Sequence, residues 1–330
     1  MYIANSHAFS HHPNGFGISP YLQEKLVFLG QFEVYKQASE LAQTMLGLAV
    51  GPSQIDRLTQ CYGAAIAPDL DRVASEQTQP TNQAVSGVVY AQADGAMLLT
   101  DEGYKEAKLG RIFPASALQE SVVEERGGHI ERSVFVGHLG NSADFGVKLA
   151  TQLDPYKSYG SDLVFISDGS VWLRQMMEKS YPQATLILDM YHVMEHIGQV
   201  GKAAFGAGKV ASDWFKEQRN LVLDSCLDDI LSNIKGLKTD LSLQDSVCSY
   251  LESNRDRMDY KTYRKRGLLI GSGAIESAHR TVMQRRLKRW GQRWSIQGAQ
   301  RVLNLRVCLM SNRWELVRQQ IEPYNYAMGA

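Results

Sequence analysis

Four cysteines in 330 residues, Cys61, Cys226, Cys248 and Cys308, are too few and too far apart for a disulfide frame or a CxxC zinc knuckle. They read as the reduced thiols of a cytoplasmic protein. No run of about 18 apolar residues occurs, so no segment reads as a transmembrane helix. The opening MYIANSHAFSHHPNGFG lacks a basic end followed by an apolar run, and so does not read as a secretory signal. There is no internal repeat, and no net charge: 35 Lys+Arg stand against 35 Asp+Glu. Neutrality argues against a nucleic-acid partner, which usually draws a visible basic excess. The average hides a division, however. Residues 255–318 hold 16 Lys+Arg and 4 Asp+Glu, leaving 19 and 31 for the rest of the chain. A basic segment of +12 is set against an acidic body of −12.

What is present falls into blocks. Residues 1–17 are polar and read as disordered, with His7, His11 and His12 as no more than adventitious metal ligands. Residues 18–67 read as helices. EVYKQASELAQTMLGL has helical spacing and ends near Gly47, and Pro52-Ser53 opens a second helix across a Gly-containing turn. That pair suits a helix-turn-helix, or a plain hairpin, since its second helix offers a phosphate only Arg57. Residues 68–84 read as a linker. From 85 to 200 three β-rich runs precede alternating strands and helices, which indicates an α/β fold with a mixed sheet. Residues 201–262 carry no strand signal and read as a helical insertion. Residues 263–330 return through LLIGSGA to basic helices.

Three carboxylates stand out. Asp94 ends VVYAQAD and Asp168 ends LVFIS, each followed by glycine. A strand-end carboxylate is the usual ligand position of an open α/β sheet, although Asp-Gly pairs also simply make turns. On a regular helix begun at Ser272, Glu276 shares an apolar stripe with Met283, Leu287 and Trp290, with Arg285, Arg286, Lys288, Arg289 and Arg293 opposite. An inward acid needs a partner, either Arg280 one turn on or a cation. Two aspartates and a glutamate are the oxygen donors that Mg²⁺ takes. Two such ions suit phosphodiester chemistry without a nucleophilic Ser or Cys.

LVFISDGSVWLRQMMEKSYPQATLILDMYHVMEH, GSGAIES and RLKRWGQRWSIQGAQRVLNLRVCLMSNRWE, with the earlier GISPYLQEKL, YAQADGA and YKEAKLGRIF, resemble the ISKra-type insertion-sequence transposases over nearly the whole chain from about residue 17. These are DDE enzymes, related to the Mutator-like group, with an RNase H-like catalytic domain. The resemblance implies that Asp94, Asp168 and Glu276 are the catalytic triad and hold two Mg²⁺ ions, with Mn²⁺ as a substitute. It implies that 85–200 and 263–330 are the two parts of the catalytic domain, with 201–262 the insertion before the closing Glu. Asp189-Met190-Tyr191-His192 matches the family's C/D-x-x-H signature, so Asp189 and His192 are expected to support the site or simply hold a helix on the sheet. Relatives open with a Cys-containing, zinc-binding-like segment that has no counterpart here. The expectation is a naturally short, late-started or degenerate copy.

The implied partner is DNA, both terminal inverted repeats and target, bound by a homo-oligomer at the nucleoid. RRLKRWGQRW and the preceding Arg280 fit that role: Arg280, Arg285, Arg286, Lys288, Arg289 and Arg293 would meet phosphates, and Trp294 would stack on distorted ends. Two rivals remain. His192-x-x-Glu195-His196 spells the HxxEH of a zinc peptidase, and a truncated copy could bind DNA without cutting it.

Overall fold

A computed structural model describes residues 16–72, 87–120, 128–158 and 160–321. The three N-terminal histidines and most of the expected linker lie outside these residues. The first helices are α1 (Pro20–Phe32), α2 (Tyr35–Leu46), α3 (Pro52–Ala65) and the short α4 (Ala67–Leu70). Ser19 caps α1, with Pro20 at its first position. α2 stops at Gly47, whose φ of 66° makes the left-handed turn toward α3.

The sheet follows: β1 (Val88–Thr100), β2 (Gly103–Pro114), the short pair β3 (Leu118–Glu120) and β4 (Gly128–Ile130), β5 (Val134–Leu139), β6 (Asp162–Ser167) and β7 (Thr185–Leu188). The main sheet has the order β5-β2-β1-β6-β7; the first three strands are antiparallel and the last two run parallel to β1. α5 (Ser142–Ser158) and α6 (Val171–Ser180) cover one face, packing on Val89, Ala91, Ile112, Val136 and Phe165.

The opposite face is shared by two helical layers. α7 (Met190–Phe205) and the insertion helices α8 (Lys209–Leu223), α9 (Leu227–Lys235), α10 (Leu241–Ser253) and α11 (Tyr260–Lys265) pack over Tyr90, Phe113, Val164 and Ile166. The stretch expected to be helical, 201–262, is thus built of helices with no strand among them. Further along β1 and β2, Leu98, Ala107 and Leu109 meet α12 (Gly273–Ala278), a π-helical stretch His279–Gln284, α13 (Arg285–Leu287) and α14 (Ile296–Met310). α15 (Glu315–Ile321) closes the described chain. No described helix is long and apolar enough to cross a membrane.

The N-terminal helices have no core to themselves. Leu26, Ile55, Leu58 and Tyr62 form one cluster with Leu305, Cys308, Trp314 and Val317 of the C-terminal end. α3 lies so close to α14 that a Cβ on Gly63 would stand 2.3 Å from the Arg301 carbonyl oxygen. Asn304 Nδ2 also donates to the Gly63 carbonyl at 2.9 Å.

One expectation is overturned here. Asp94-Gly95 makes no turn: β1 runs through both residues to Thr100, and the chain reverses at Asp101–Glu102 before Gly103, φ 88°. Gly95 keeps a β conformation, and the space a Cβ would need is taken by the Glu106 carboxylate, 2.1 Å away.

Gly63→Ala tests the shared core. Alanine gains about 1 kcal/mol of helix propensity, but the backbone clash should outweigh it and leave a net loss of about 1–3 kcal/mol in urea unfolding. A neutral or stabilised variant would contradict the close packing of α3 on α14.

Candidate active site

The last residues paired between β1 and β6 are Gln92 and Ile166. Two positions further on, Asp94 continues β1 on the face of Gln92, and Asp168 lies just past the end of β6, near enough for its charge to act on the Asp94 carboxyl. β6 has ended by then and β1 has not. Both carboxylates therefore stand at the C-terminal edge of the parallel half of the sheet, although Asp94 is in mid-strand.

Each is held locally. Asp94 Oδ1 accepts from the Gly95 N–H at 2.7 Å, and Oδ2 lies 3.4 Å from Nε2 of the buried His279. Burial pushes the Asp94 carboxyl up, and the charge of Asp168 adds to this against the pull of His279. Asp168 Oδ1 accepts from the Ser170 N–H at 3.0 Å and hydroxyl at 2.6 Å, an Asx turn made possible by Gly169, φ 99°. The Asp168 carbonyl accepts from the Tyr250 hydroxyl at 2.9 Å. The insertion thus reaches the sheet edge through α10, a contact with no signal in the sequence.

The helix carrying Glu276 is tied to the same edge at its start. Asp189, fully buried, caps α7 by accepting from the Tyr191 N–H, and also accepts from the N–H and hydroxyl of Ser272 and from His192 Nδ1 at 2.5 Å. Gln92, 1% exposed, donates to the Gly271 carbonyl and accepts from the Ile275 N–H at 2.9 Å. Arg111 on β2 donates to the Ala274 carbonyl at 2.8 Å. Two strands, β1 and β2, and the residue that follows β7 therefore fix the first turn of α12. Gln92 was legible as the one polar residue inside VVYAQA, two positions before Asp94 on the same face, but it was not singled out.

Glu276 differs from its expected setting: it is exposed, with Ile275, Ala278 and His279 inward. The π-helical stretch is the reason. Its i→i+5 bonding winds fewer degrees per residue than an α-helix, so a stripe projected at 100° per residue loses phase across it. Val282, Met283, Arg286 and Leu287 face the core, and the helix ends before Trp290, which is fully exposed.

The expected DNA-contacting set divides accordingly. Arg280, Arg285, Lys288 and Arg293 are exposed. Arg286 is buried instead, donating to the Gly30 carbonyl between the rings of Tyr35 and Trp294. Arg289 is paired with Glu33. Trp294 is buried, its indole N–H donating to the Leu287 carbonyl at 3.0 Å, so it offers no face to a base.

Among the described residues no group of three or more His, Cys, Asp or Glu is placed to hold a metal ion. His192 and His196 of the HxxEH run engage different partners: His192 is bonded to Asp189, and the His196 ring packs on Tyr250 with centroids 4.2 Å apart.

The hydrogen bond to Asp189 raises the His192 pKa from 6.5 to about 9, while its donors hold Asp189 below the usual carboxylate range despite burial. A raised folded-state pKa stabilises fully below the unfolded value and is lost as pH climbs through the folded one. The stability gap between the native chain and His192→Gln should therefore be widest near pH 6 and close between 6.5 and about 9. A gap independent of pH in chemical unfolding would show that the imidazole is not charged in the fold.

No protein-family model matches the chain. It is similar to a protein of Streptococcus gallolyticus described as "UPF0236 protein in vanSb 3'region", with 25% identity over 320 residues that cover 93% of this chain and 67% of that one.

Proposed function

We propose that this chain is a DNA transposase of the DDE type, built on an RNase H-like domain and acting at the ends of its element. The observation that carries the reading is the juxtaposition of Asp94 on β1 with Asp168 just past the end of the neighbouring β6, beneath a helix start held by Gln92 of β1, Arg111 of β2 and Asp189 at the end of β7. Three antiparallel strands extended on one edge by two parallel ones support the fold assignment. The resemblance of the sequence blocks supplies the reaction class.

The donor set fits magnesium. Mg²⁺ is bound through one or two carboxylates, with water and substrate phosphate completing its shell, and the Asp94 carboxyl carries the unfavourable burial and Asp168 repulsion that a cation would relieve. Asp94 and Asp168 would hold the ion, with Mn²⁺ as a substitute, and Glu276 would join from α12. When bound, two such ions activate the attacking oxygen and stabilise the leaving one. The chain's own part is positional. Ser170 and Gly95 orient the two carboxylates, and Asp189, Gln92 and Arg111 hold the helix bearing Glu276. Water would cut a phosphodiester at the element end, and the freed 3′-OH would attack target DNA, with no covalent protein intermediate. Exposed Arg280, Arg285, Lys288 and Arg293 would track the phosphates.

Asp168→Asn should abolish Mg²⁺-dependent strand cleavage on the element's flanking repeats while leaving DNA affinity within about twofold; full cleavage by this variant would sink the assignment. The cations make a second prediction. Replacing Arg280, Arg285 and Lys288 by Gln should lower the slope of log affinity against log salt by up to about 3, near 0.9 for each phosphate contact. Arg286→Gln should instead lower stability and leave the slope alone, because that side chain is interior. An unchanged slope in the triple variant would remove this surface from the interface.

A further inference from the structure

Trp290 is 102% exposed, the extreme among the large apolar side chains that reach solvent. It sits in a loop where nearly everything else is fastened. On one side Arg289 pairs with Glu33, the residue that caps the end of α1. On the other the Trp294 main chain joins the tip of the β1–β2 hairpin, its N–H donating to the Leu99 carbonyl at 3.2 Å and its carbonyl accepting from the Asp101 N–H at 2.8 Å. The Trp294 indole is locked to Leu287 beneath, and Gly291, φ 74°, lets the chain double back directly after Trp290. An indole presented in water from a braced turn has lost its apolar burial without an internal reason.

Its surroundings indicate what would cover it. From Arg285 to Arg293 the chain has five basic residues and no acidic one, and Arg285, Lys288 and Arg293 are exposed. Arg285 itself lies over the Phe32 ring, 3.9 Å from its centroid. A flat π-face in a turn whose exposed charged neighbours along the chain are all cationic matches a nucleobase attached to phosphates: aromatic stacking accepts any base, and the cations hold the backbone. A paired base inside a duplex offers no free face, so the ligand is an unpaired one. Position agrees. Thr100, bridged to Trp294, lies six residues along β1 from Asp94, about 20 Å at the rise of a strand. That is about six base steps from the candidate carboxylates, in the flanking DNA and not at the chemistry.

We propose that the Trp290 turn, with the exposed Arg285, Lys288 and Arg293 that flank it in the chain, is a stacking platform for an unpaired nucleobase in the DNA about six base steps from the cut. The proposal rests on DNA as the partner, as read above. It assigns to Trp290 the role that the sequence pattern had placed on Trp294.

The test uses the full chain carrying Asp168→Asn, so that DNA stays whole, and compares a blunt duplex with one of the same sequence bearing a short unpaired end, by fluorescence anisotropy at one salt concentration. The parent should prefer the frayed duplex. Trp290→Ala should weaken that complex by at least about fivefold and leave the blunt one unchanged, with Trp290→Phe retaining most of the preference. Equal binding of both duplexes by parent and Trp290→Ala, or equal weakening on both, would overturn the platform. Loss of self-association in Trp290→Ala by analytical ultracentrifugation, with frayed-end binding intact, would assign the indole to a protein contact and overturn it too. A chain that never cleaves yet keeps the Trp290-dependent preference would refute the transposase reading and leave the platform standing.

Discussion

Burying a carboxylate is costly unless donors meet it, and Asp189 meets four: the N–H groups of Tyr191 and Ser272, the Ser272 hydroxyl and the His192 imidazole. Those donors belong to α7 and to the start of α12, while Asp189 itself follows the last residue of β7. One side chain thereby joins the sheet edge to both helical layers. Gln92 and Arg111 extend the tie to β1 and β2. If Asp189 lost these partners, the cost would be that of an uncompensated interior charge, and the helix bearing Glu276 would be left without its anchor. The D-x-x-H pattern thus acts as a positioning device for a neighbouring element more than 80 residues downstream.

Strand and helix identities were legible because they rest on local pattern. The apolar run LVFIS, the helix start at Pro52 and the polar helical stretch of 201–262 all read directly. Asp94 was misplaced as a strand end because Asp-Gly is a turn signal in isolation; here long-range pairing with β2 overrides it, Asp94 lying opposite Leu109. Glu276 and Trp290 were misplaced because a helical projection assumes constant winding, which the π-helical stretch interrupts. Tyr250 gave no signal, since its contact with Asp168 joins residues 82 apart and depends on how the insertion folds back.

The basic segment also changes meaning once its side chains are placed. Arg257, Arg286 and Arg306 are interior, each donating to a neighbouring carbonyl or amide oxygen. Arg306 bonds Gln31 and Arg286 bonds Gly30, so part of the positive charge serves to fasten the C-terminal helices to α1. Burial opposes the charge on Arg286 and Arg306 and draws both pKa values down, Arg306 to about 10, which leaves them cationic at neutral pH. The cations free to meet phosphate are fewer than the sequence balance implies, and they reach solvent in two places: Lys261, Arg264, Lys265 and Arg266 at α11, and Arg280, Arg285, Lys288 and Arg293 at α12 and the Trp290 turn.

The central claim is that Asp94 and Asp168 form a divalent-cation site where DNA is cut. Anomalous diffraction from crystals of the chain with an end duplex and Mn²⁺ tests it most directly. The account predicts manganese peaks between the carboxylates of Asp94 and Asp168, with Glu276 turned toward them. Manganese bound elsewhere on the protein–DNA complex, with no peak between those two aspartates, would contradict it.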